Sequence, residues 1–338
     1  MSKNAQRIPC YDVMKGILIC LVILSHINLI IFCQARLPNE TVRTLMIHQW
    51  WYVAFYMPAF FFVTGVCSNF QKPFLPFLRK NFLTILLPAF TFSLLFGTLP
   101  QWITTGDCTT AFAQLGENLV LFGGFYWFLV SLFCAKLIYW GLSRIDNAGI
   151  RWTILTGIML TGFVGYNYDL IPNYWYVCQT LDLTFFIGIG QWFKERKSVS
   201  RWVYLCCTLL FLLLVAVFYH LDTSYPYVAA DYHIKVWWKL LLHPLLATCG
   251  TLLVLGLSRW IDSNGILEFL GRGSLVIFMT HLCVLKGLIS LLAPCLATAG
   301  TLVTLMLLTL LFVATLLICS ALVWLFQQKY LRILLGKH

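Results

Sequence analysis

The chain has 338 residues, of which 60% are apolar and only 10% are charged. Soluble domains carry about 25% charged residues, so the composition excludes an ordinary soluble protein and indicates an integral membrane protein. The formal net charge is +11, but the basic residues recur in short clusters between apolar runs, which indicates membrane topology and no nucleic-acid partner.

Ten apolar segments approach the length of about 20 residues that a helix needs to cross the hydrocarbon core of a bilayer. In chain order they are 13–33, 50–67, 82–100, 119–142, 152–168, 175–193, 202–220, 236–257, 274–292 and 301–326. Asp182 interrupts the sixth segment. The sequence therefore predicts an all-α polytopic membrane protein with about ten transmembrane helices.

The distribution of basic residues favours one orientation in the membrane. When the N-terminus is placed in the cytoplasm, the cytoplasmic segments hold 16 of the 23 Lys and Arg residues, and the opposite side holds only Arg36, Arg43 and Lys235. An excess of Lys and Arg on the cytoplasmic side is the main topology signal, so we expect both termini in the cytoplasm. We also expect residues 1–338 to form one membrane-embedded domain, with no appended soluble domain.

The first apolar segment, "YDVMKGILICLVILSHINLI", carries three ionisable residues. Asp12 precedes Lys15 by three positions and can pair with it on a helix. Lys15 and His26 are 11 residues apart, which puts them on one helix face about 16 Å apart along the axis. An ionisable group at membrane depth costs roughly 2.5–3.5 kcal/mol on the insertion scale. The alternative is that Lys15 reaches the headgroups and that His26 only packs.

Other ionisable residues lie in later apolar segments. His243 lies about seven residues into the eighth segment, which predicts a depth similar to that of His26, and His281 lies in the ninth segment. Like Asp182, these are ionisable residues within apolar segments. Such residues usually face a protein interior or a water-filled cavity and mark a transport pathway or a reaction site. The alternatives are a kink at His243-Pro244 and a cap of a broken helix at Asp182. Most of the 13 cysteines lie in apolar runs, and no spacing matches a zinc site, so no metal is expected.

Five ordered motifs between residues 11 and 281 resemble one known family. They are "YDVMKGILICLVILSH", "FYMPAFFFVTGV", "FLRKNFLTILLPAF", "YWFLVSLF" and "LGRGSLVIFMTH". The first resembles the opening span of the acyltransferase 3 family of integral membrane acyltransferases, in which Asp and then a basic residue are followed by ten residues and then His. The chain looks most similar to the fucose 4-O-acetylase-like branch. It departs from the pattern at Lys15, where many members have Arg, and at Thr84, near where members often have a second basic residue.

The resemblance implies transfer of an acyl group, usually acetyl, from cytoplasmic acyl-CoA to a hydroxyl of a cell-surface or lipid-linked sugar. The resemblance also implies a multi-pass protein of the cell membrane, which in a bacterium is the inner membrane. Cations at the cytoplasmic mouth suit the phosphates of CoA, which Lys15, Arg79 and Lys80 are expected to hold. His26 is expected to act as general base or as covalent acyl acceptor, with Asp12 orienting Lys15.

Further residues are expected to support the reaction or contact the acceptor. They are His243, His281, Asp182, Trp127 and Ser274. A membrane transporter or exporter of a small organic acid or sugar is the main alternative, since ten spans and buried charges suit it equally well. Transporters often show inverted repeats, and no convincing repeat is present, so the ordered motifs favour the acyltransferase.

Overall fold

The computed structural model describes residues 8–34, 50–122, 126–196, 199–221 and 237–336. Within these ranges the protein is helical and contains no β-strand. The helices are α1 (Pro9–Gln34), α2 (Trp50–Cys67), α3 (Phe74–Thr105), α4 (Cys108–Phe122), α5 (Trp127–Leu142), α6 (Ala148–Asn167), α7 (Val177–Glu195), α8 (Arg201–Leu221), α9 (Trp237–Ile261), α10 (Gly265–Thr298) and α11 (Thr301–Phe326).

Six stretches of the described chain are helical, long and apolar enough to cross a membrane: Pro9–Ile30, Phe74–Thr105, Ala148–Asn167, Pro244–Ile261, Gly265–Thr298 and Thr301–Phe326. Three shorter apolar helical stretches are Trp51–Cys67, Trp127–Leu142 and Arg201–Val217. The chain is therefore an all-helical, multi-pass membrane protein, as the sequence predicts. The count of ten spans and the cytoplasmic location of both termini stay predictions.

Each predicted segment overlaps a helix, but several boundaries differ; α10, for example, begins at Gly265, nine residues before the predicted start of the ninth segment. α3 begins at Phe74, eight residues before the predicted start of the third segment, because backbone hydrogen bonding continues into the polar, basic sequence that precedes the apolar run. The fourth predicted segment, 119–142, is divided between the end of α4 and α5, which begins at Trp127.

α3 contains two π-helical turns, Phe82–Leu86 and Leu94–Thr98. Each turn is followed within two residues by a proline, Pro88 or Pro100. Proline has no N–H to complete the regular helical ladder, and a π turn absorbs the resulting mismatch.

Polar side chains cap several helices at their N-termini. Asn147 accepts a hydrogen bond from the N–H of Ile150 at 3.1 Å, and Asn264 caps α10 in the same way. Asp107 accepts from the N–H of Thr110 at 2.9 Å. Hydrogen bonds from the side chain and backbone of Thr110 hold the pKa of the Asp107 carboxyl below its usual value. Such caps pair the helical N–H groups that have no partner within the helix.

The chain divides into two compact units, each discontinuous in sequence. The first comprises the described residues of Met1–Phe60, Ser198–Ala229 and His243–Val323. The second comprises those of Phe61–Lys197, Ala230–Leu242 and Trp324–His338. In the first unit α1 packs against α10, and in the second α7 packs against both α5 and α6.

Glycines allow close helix packing within the second unit. A Cβ added at Gly65 would collide with the carbonyl oxygen of Ile187, and one added at Gly190 would collide with that of Phe62. The end of α2 and the middle of α7 therefore touch through their backbones, a packing mode that small residues permit in membrane helices.

Candidate functional site

The candidate site of the first unit lies along α1 and α10. Gly16 on α1 and Gly271 on α10 face the opposite backbone, since a Cβ at either position would collide with the carbonyl of Leu267 or Asp12, respectively. The close approach of these two helices brings polar side chains of both into contact farther along their length.

A charged pair occupies the start of α1. Nζ of Lys15 lies 2.6 Å from Oδ1 of Asp12, in the i,i+3 arrangement that the sequence predicts. Asp12 is buried and Lys15 is half-buried. A buried carboxylate is stabilised by a cation at hydrogen-bonding distance, so the pair holds the lysine ammonium at a fixed place near the helix start.

His26 lies three turns after Lys15 on the same helix. Its Nδ1 is 2.8 Å from the carbonyl oxygen of Val22 and 3.4 Å from Oγ of Ser25. A carbonyl oxygen only accepts, so Nδ1 carries the proton of the neutral ring and Nε2 keeps its lone pair. No described residue is hydrogen-bonded to Nε2 of His26, which leaves a basic nitrogen for chemistry.

Ser25 connects α1 to α2 beside this histidine. Its Oγ lies 2.8 Å from the Val22 carbonyl oxygen and 3.3 Å from the hydroxyl oxygen of Tyr56. One turn beyond, Nδ2 of Asn28 donates to the hydroxyl of Tyr52 at 3.0 Å. These buried contacts fix the part of α1 that carries His26.

His281 on α10 forms the other half of the site. The centroids of its ring and of the His26 ring are 4.8 Å apart, with an interplanar angle of 73°. Its Nδ1 lies 3.0 Å from the carbonyl oxygen of Ile277 and 2.8 Å from that of Phe278, so this nitrogen also carries the proton. Its Nε2 is buried and has no hydrogen-bond partner in the described part of the chain.

The two imidazoles therefore form an edge-to-face pair in which each ring presents a basic Nε2. Two adjacent imidazolium ions would repel strongly at low dielectric, so the pair holds one added proton at most. General base catalysis requires one positioned neutral imidazole, and the pair supplies it.

Two other expected residues, Ser274 and His243, belong to the first unit. Ser274 is half-buried on α10, two turns before His281. His243 lies in α9, but its side chain is outside the described part of the structure.

The remaining expected residues belong to the second unit. Arg79 and Lys80 are exposed near the start of α3, where they help to line an open cavity of about 800 Å³. Asp182 is half-buried in the first half of α7. Trp127 is the first residue of α5, and its ring centroid lies 6.2 Å from that of Tyr176.

Several polar residues of α5 and α7 are not predicted by the sequence motifs as site residues. Lys136 is half-buried on α5, with Nζ 5.9 Å from the ring centroid of Phe77. Ser131, Gln179 and Thr180 carry buried oxygens that have no partner among the described residues. The sequence does contain one indication of their importance, namely that they lie within apolar runs, where a polar side chain is energetically costly.

Comparison with known families decides what kind of protein carries this histidine pair. A family model described as an acyltransferase domain, that of the acyltransferase 3 family, matches residues 8–324. The chain belongs to the acyltransferase 3 family. No curated protein and no solved structure matches it. The matched region of this acyltransferase includes both histidines and the Asp12–Lys15 pair, and the match does not favour the transporter. The fucose 4-O-acetylase-like branch stays a prediction.

Among the described residues, no group of three or more His, Cys, Asp or Glu side chains is arranged to hold a metal ion. In the described part of this acyltransferase, the site therefore consists of the charged pair at the start of α1 and the histidine pair between α1 and α10.

Proposed function

We propose that this acyltransferase moves an acetyl group from cytoplasmic acetyl-CoA to a hydroxyl of a cell-surface or lipid-linked sugar. The observation that carries the proposal is the 2.8 Å contact between Nδ1 of His26 and the Val22 carbonyl oxygen, from which we infer that Nδ1 carries the proton. That hydrogen bond leaves Nε2 as the base. Family membership supplies acyl transfer in general; the donor, the acceptor and the role of the histidine are the proposal.

In the proposed reaction, Nε2 of His26 removes the proton of the sugar hydroxyl as its oxygen attacks the thioester carbonyl. The carbon–sulfur bond breaks, and the departing CoA thiolate takes the proton back from the imidazolium. The same lone pair can instead attack the thioester first, so that the carbon–sulfur bond breaks and CoA leaves as the thiolate. The sugar hydroxyl then attacks the acyl-imidazolium, its proton goes to the CoA thiolate, and the neutral imidazole is released. Both routes balance, and both need an unblocked Nε2.

His281 is proposed to keep His26 in place and to tolerate its transient charge. The ring–ring contact at 4.8 Å restricts rotation of the His26 imidazole. His281 is completely buried, and a buried imidazole beside a protonated His26 is more stable as the neutral ring, so no like charge opposes proton uptake.

Lys15, Arg79 and Lys80 are proposed to bind the phosphates of the donor, with Lys15 held by Asp12. Along α1, 11 residues separate Lys15 from His26, about 16 Å, which is comparable to the reach of an extended pantetheine arm. A CoA head group held near Lys15 would then present its thioester to His26. The proposal requires the start of α1 to lie on the cytoplasmic side, as in the proposed topology of ten spans with cytoplasmic termini.

The function is tested by comparing envelope glycans with and without the gene, scored by mass and by base-labile acetate. We expect the acetate to be lost on deletion and regained when the wild-type gene is supplied. Unchanged glycan acetylation alongside altered export of a small organic acid or sugar would contradict the acyltransferase proposal and support transport.

A further inference from the structure

Three polar atoms near the starts of α5 and α7 are buried without a hydrogen-bond partner among the described residues. They are Oγ of Ser131, Oε1 of Gln179 and Oγ1 of Thr180. Ser131 and Thr180 are only 0% and 3% exposed. A buried polar group without a partner is costly, and an unsatisfied group in a native protein calls for a specific explanation. The candidates are a ligand and water.

The local backbone explains why Thr180 lacks a partner. A helical threonine often donates its hydroxyl to the carbonyl four residues back, as Thr184 does to Thr180 at 2.6 Å. For Thr180 that carbonyl belongs to Tyr176, whose backbone is left-handed, with φ 52° and ψ 41°. The carbonyl consequently does not follow the helical direction, and the Thr180 hydroxyl is left for another acceptor or donor.

Two aromatic rings lie one helical turn before these polar groups. The rings of Trp127 and Tyr176 are half-buried, with centroids 6.2 Å apart at an interplanar angle of 54°. Ser131 follows Trp127 by four residues on α5, so these two side chains share a helix face. Gln179 and Thr180 lie in the first turn of α7, which begins directly after Tyr176. Trp127, Ser131, Tyr176, Gln179 and Thr180 together are termed the aromatic-polar cluster.

The turn before α7 is fixed by its own contacts. Oδ1 of Asn173 accepts the N–H of Cys178 at 3.1 Å, and Nε1 of Trp175 donates to the carbonyl of Val120 at 2.9 Å. Trp175 and Tyr176 have φ angles of 53° and 52°, a left-handed backbone conformation that residues other than glycine rarely adopt. The aromatic-polar cluster is therefore preorganised on one side by a constrained turn.

The chemistry of the cluster matches a neutral, polyhydroxylated ligand. Aromatic faces pack against the apolar face of a sugar ring, and a few fixed hydroxyl and amide groups orient its hydroxyls. The five side chains carry no formal charge, and Asp182, three residues after Gln179, disfavours a phosphate or carboxylate.

We propose that the aromatic-polar cluster is a carbohydrate-binding subsite. One sugar ring packs on Trp127 and Tyr176, and its hydroxyls bond to Ser131, Gln179 and Thr180. Under the proposed topology both α5 and α7 begin on the extracytoplasmic side, where envelope sugars are present. The role of this subsite as the acceptor site rests on the proposed function, whereas sugar binding itself does not.

Saturation-transfer NMR on the purified full-length protein tests the subsite. The probes are the methyl glycosides of glucose, galactose and fucose, and the detergent has no sugar head group. We expect saturable binding of at least one probe, and Thr180→Val should raise its Kd roughly three- to tenfold, as loss of one hydrogen bond does. Thr184→Val is the matched control, because its hydroxyl already has a partner; its Kd should equal that of the wild type.

Thermal unfolding shows that the variant is folded, and Ser131→Ala provides a second test. Thr180→Val removes a buried hydroxyl that has no partner, so its Tm should equal or exceed that of the wild type. The subsite is contradicted if no probe binds saturably, or if both Thr180→Val and Ser131→Ala bind like Thr184→Val. Sugar binding without any acetyl transfer would instead contradict only the proposed function.

Discussion

His26 and His281 each donate Nδ1–H to a carbonyl of their own helix, at 2.8 Å from Val22 and at 2.8 Å from Phe278. Each ring consequently presents Nε2. The sequence predicts that Lys15 and His26 share a helix face, because that follows from spacing within one helix. It does not predict the contact with His281, 255 residues later, because hydropathy does not specify which helices pack together.

Replacing His281 should slow acyl transfer without weakening donor binding. His281→Phe keeps a ring beside His26 but removes both nitrogens, and a displacement of the base by about 1 Å costs about 100-fold in rate. We expect kcat to fall by that order while the KM for acyl-CoA stays unchanged. His281→Asn, whose amide can donate where Nδ1 does, should regain part of the rate.

The measurement is the steady-state rate of acyl transfer from labelled acyl-CoA by purified variants. Cys283→Ser, at an exposed position on the same helix, is the control and should behave as wild type. A His281→Phe enzyme with the wild-type kcat would show that His281 only fills space.

The packing of α1 on α10 depends on glycine at two facing positions. Gly16 meets the backbone of Leu267, and Gly271 meets that of Asp12. Because the histidines lie on the same two helices, the distance between their backbones determines whether the imidazole rings touch. This property belongs to the helix pair, and the sequence contains only an indirect signal for it, namely glycines within apolar runs.

Gly271→Ala should therefore destabilise the protein and impair transfer together. The added methyl group collides with backbone atoms, and overpacking of this kind costs about 1–3 kcal/mol. Thermal unfolding in detergent and the transfer rate are the two measurements. Gly287→Ala, on the same helix with nothing within 4 Å of the added atom, should leave both at the wild-type value.

If Gly271→Ala is as stable and as active as Gly287→Ala, the close contact of α1 and α10 is not required for the site. A loss of stability with an unchanged rate in the folded fraction would likewise show that the histidine contact survives the separation of the helices.

At the scale of the element, the sequence predicts the apolar helices well and their irregularities poorly. Hydropathy identifies the run in α3, but it gives no indication of the π turns Phe82–Leu86 and Leu94–Thr98. The π turns accommodate the backbone hydrogen bonds that Pro88 and Pro100, which have no N–H, cannot donate. The predicted fourth segment also runs through the boundary between α4 and α5, although the sequence there contains Gly123 and Gly124, and a Gly-Gly pair often interrupts a helix.

At the scale of the whole molecule, composition is enough to predict a helical membrane protein, but the division into two units is not visible in it. Both units are assembled from separated stretches of chain, and some of their limits fall within helices, for example at Phe60–Phe61 and Val323–Trp324. Apolar helices of similar composition carry little information about their partners, since packing is determined by side-chain shape and by small residues.

The proposed topology predicts where reporter fusions are active. Alkaline phosphatase fused after Gly106 should be active because that turn is expected outside, whereas fusions after Asn147 and Gly336 should be inactive. The same sites fused to green fluorescent protein serve as the control and should give the opposite pattern. Phosphatase activity after Gly336 would contradict a cytoplasmic C-terminus and the even number of spans.

The central claim, that Nε2 of His26 performs the transfer, is tested most directly by His26→Gln. The full-length wild-type and variant proteins are reconstituted in liposomes with labelled acetyl-CoA and envelope glycan, and acetate incorporation is measured over time. The variant should be folded, with a Tm near that of the wild type, but its rate should fall by at least about 100-fold, as loss of a general base predicts. A folded His26→Gln protein that transfers acetate at the wild-type rate would contradict the account.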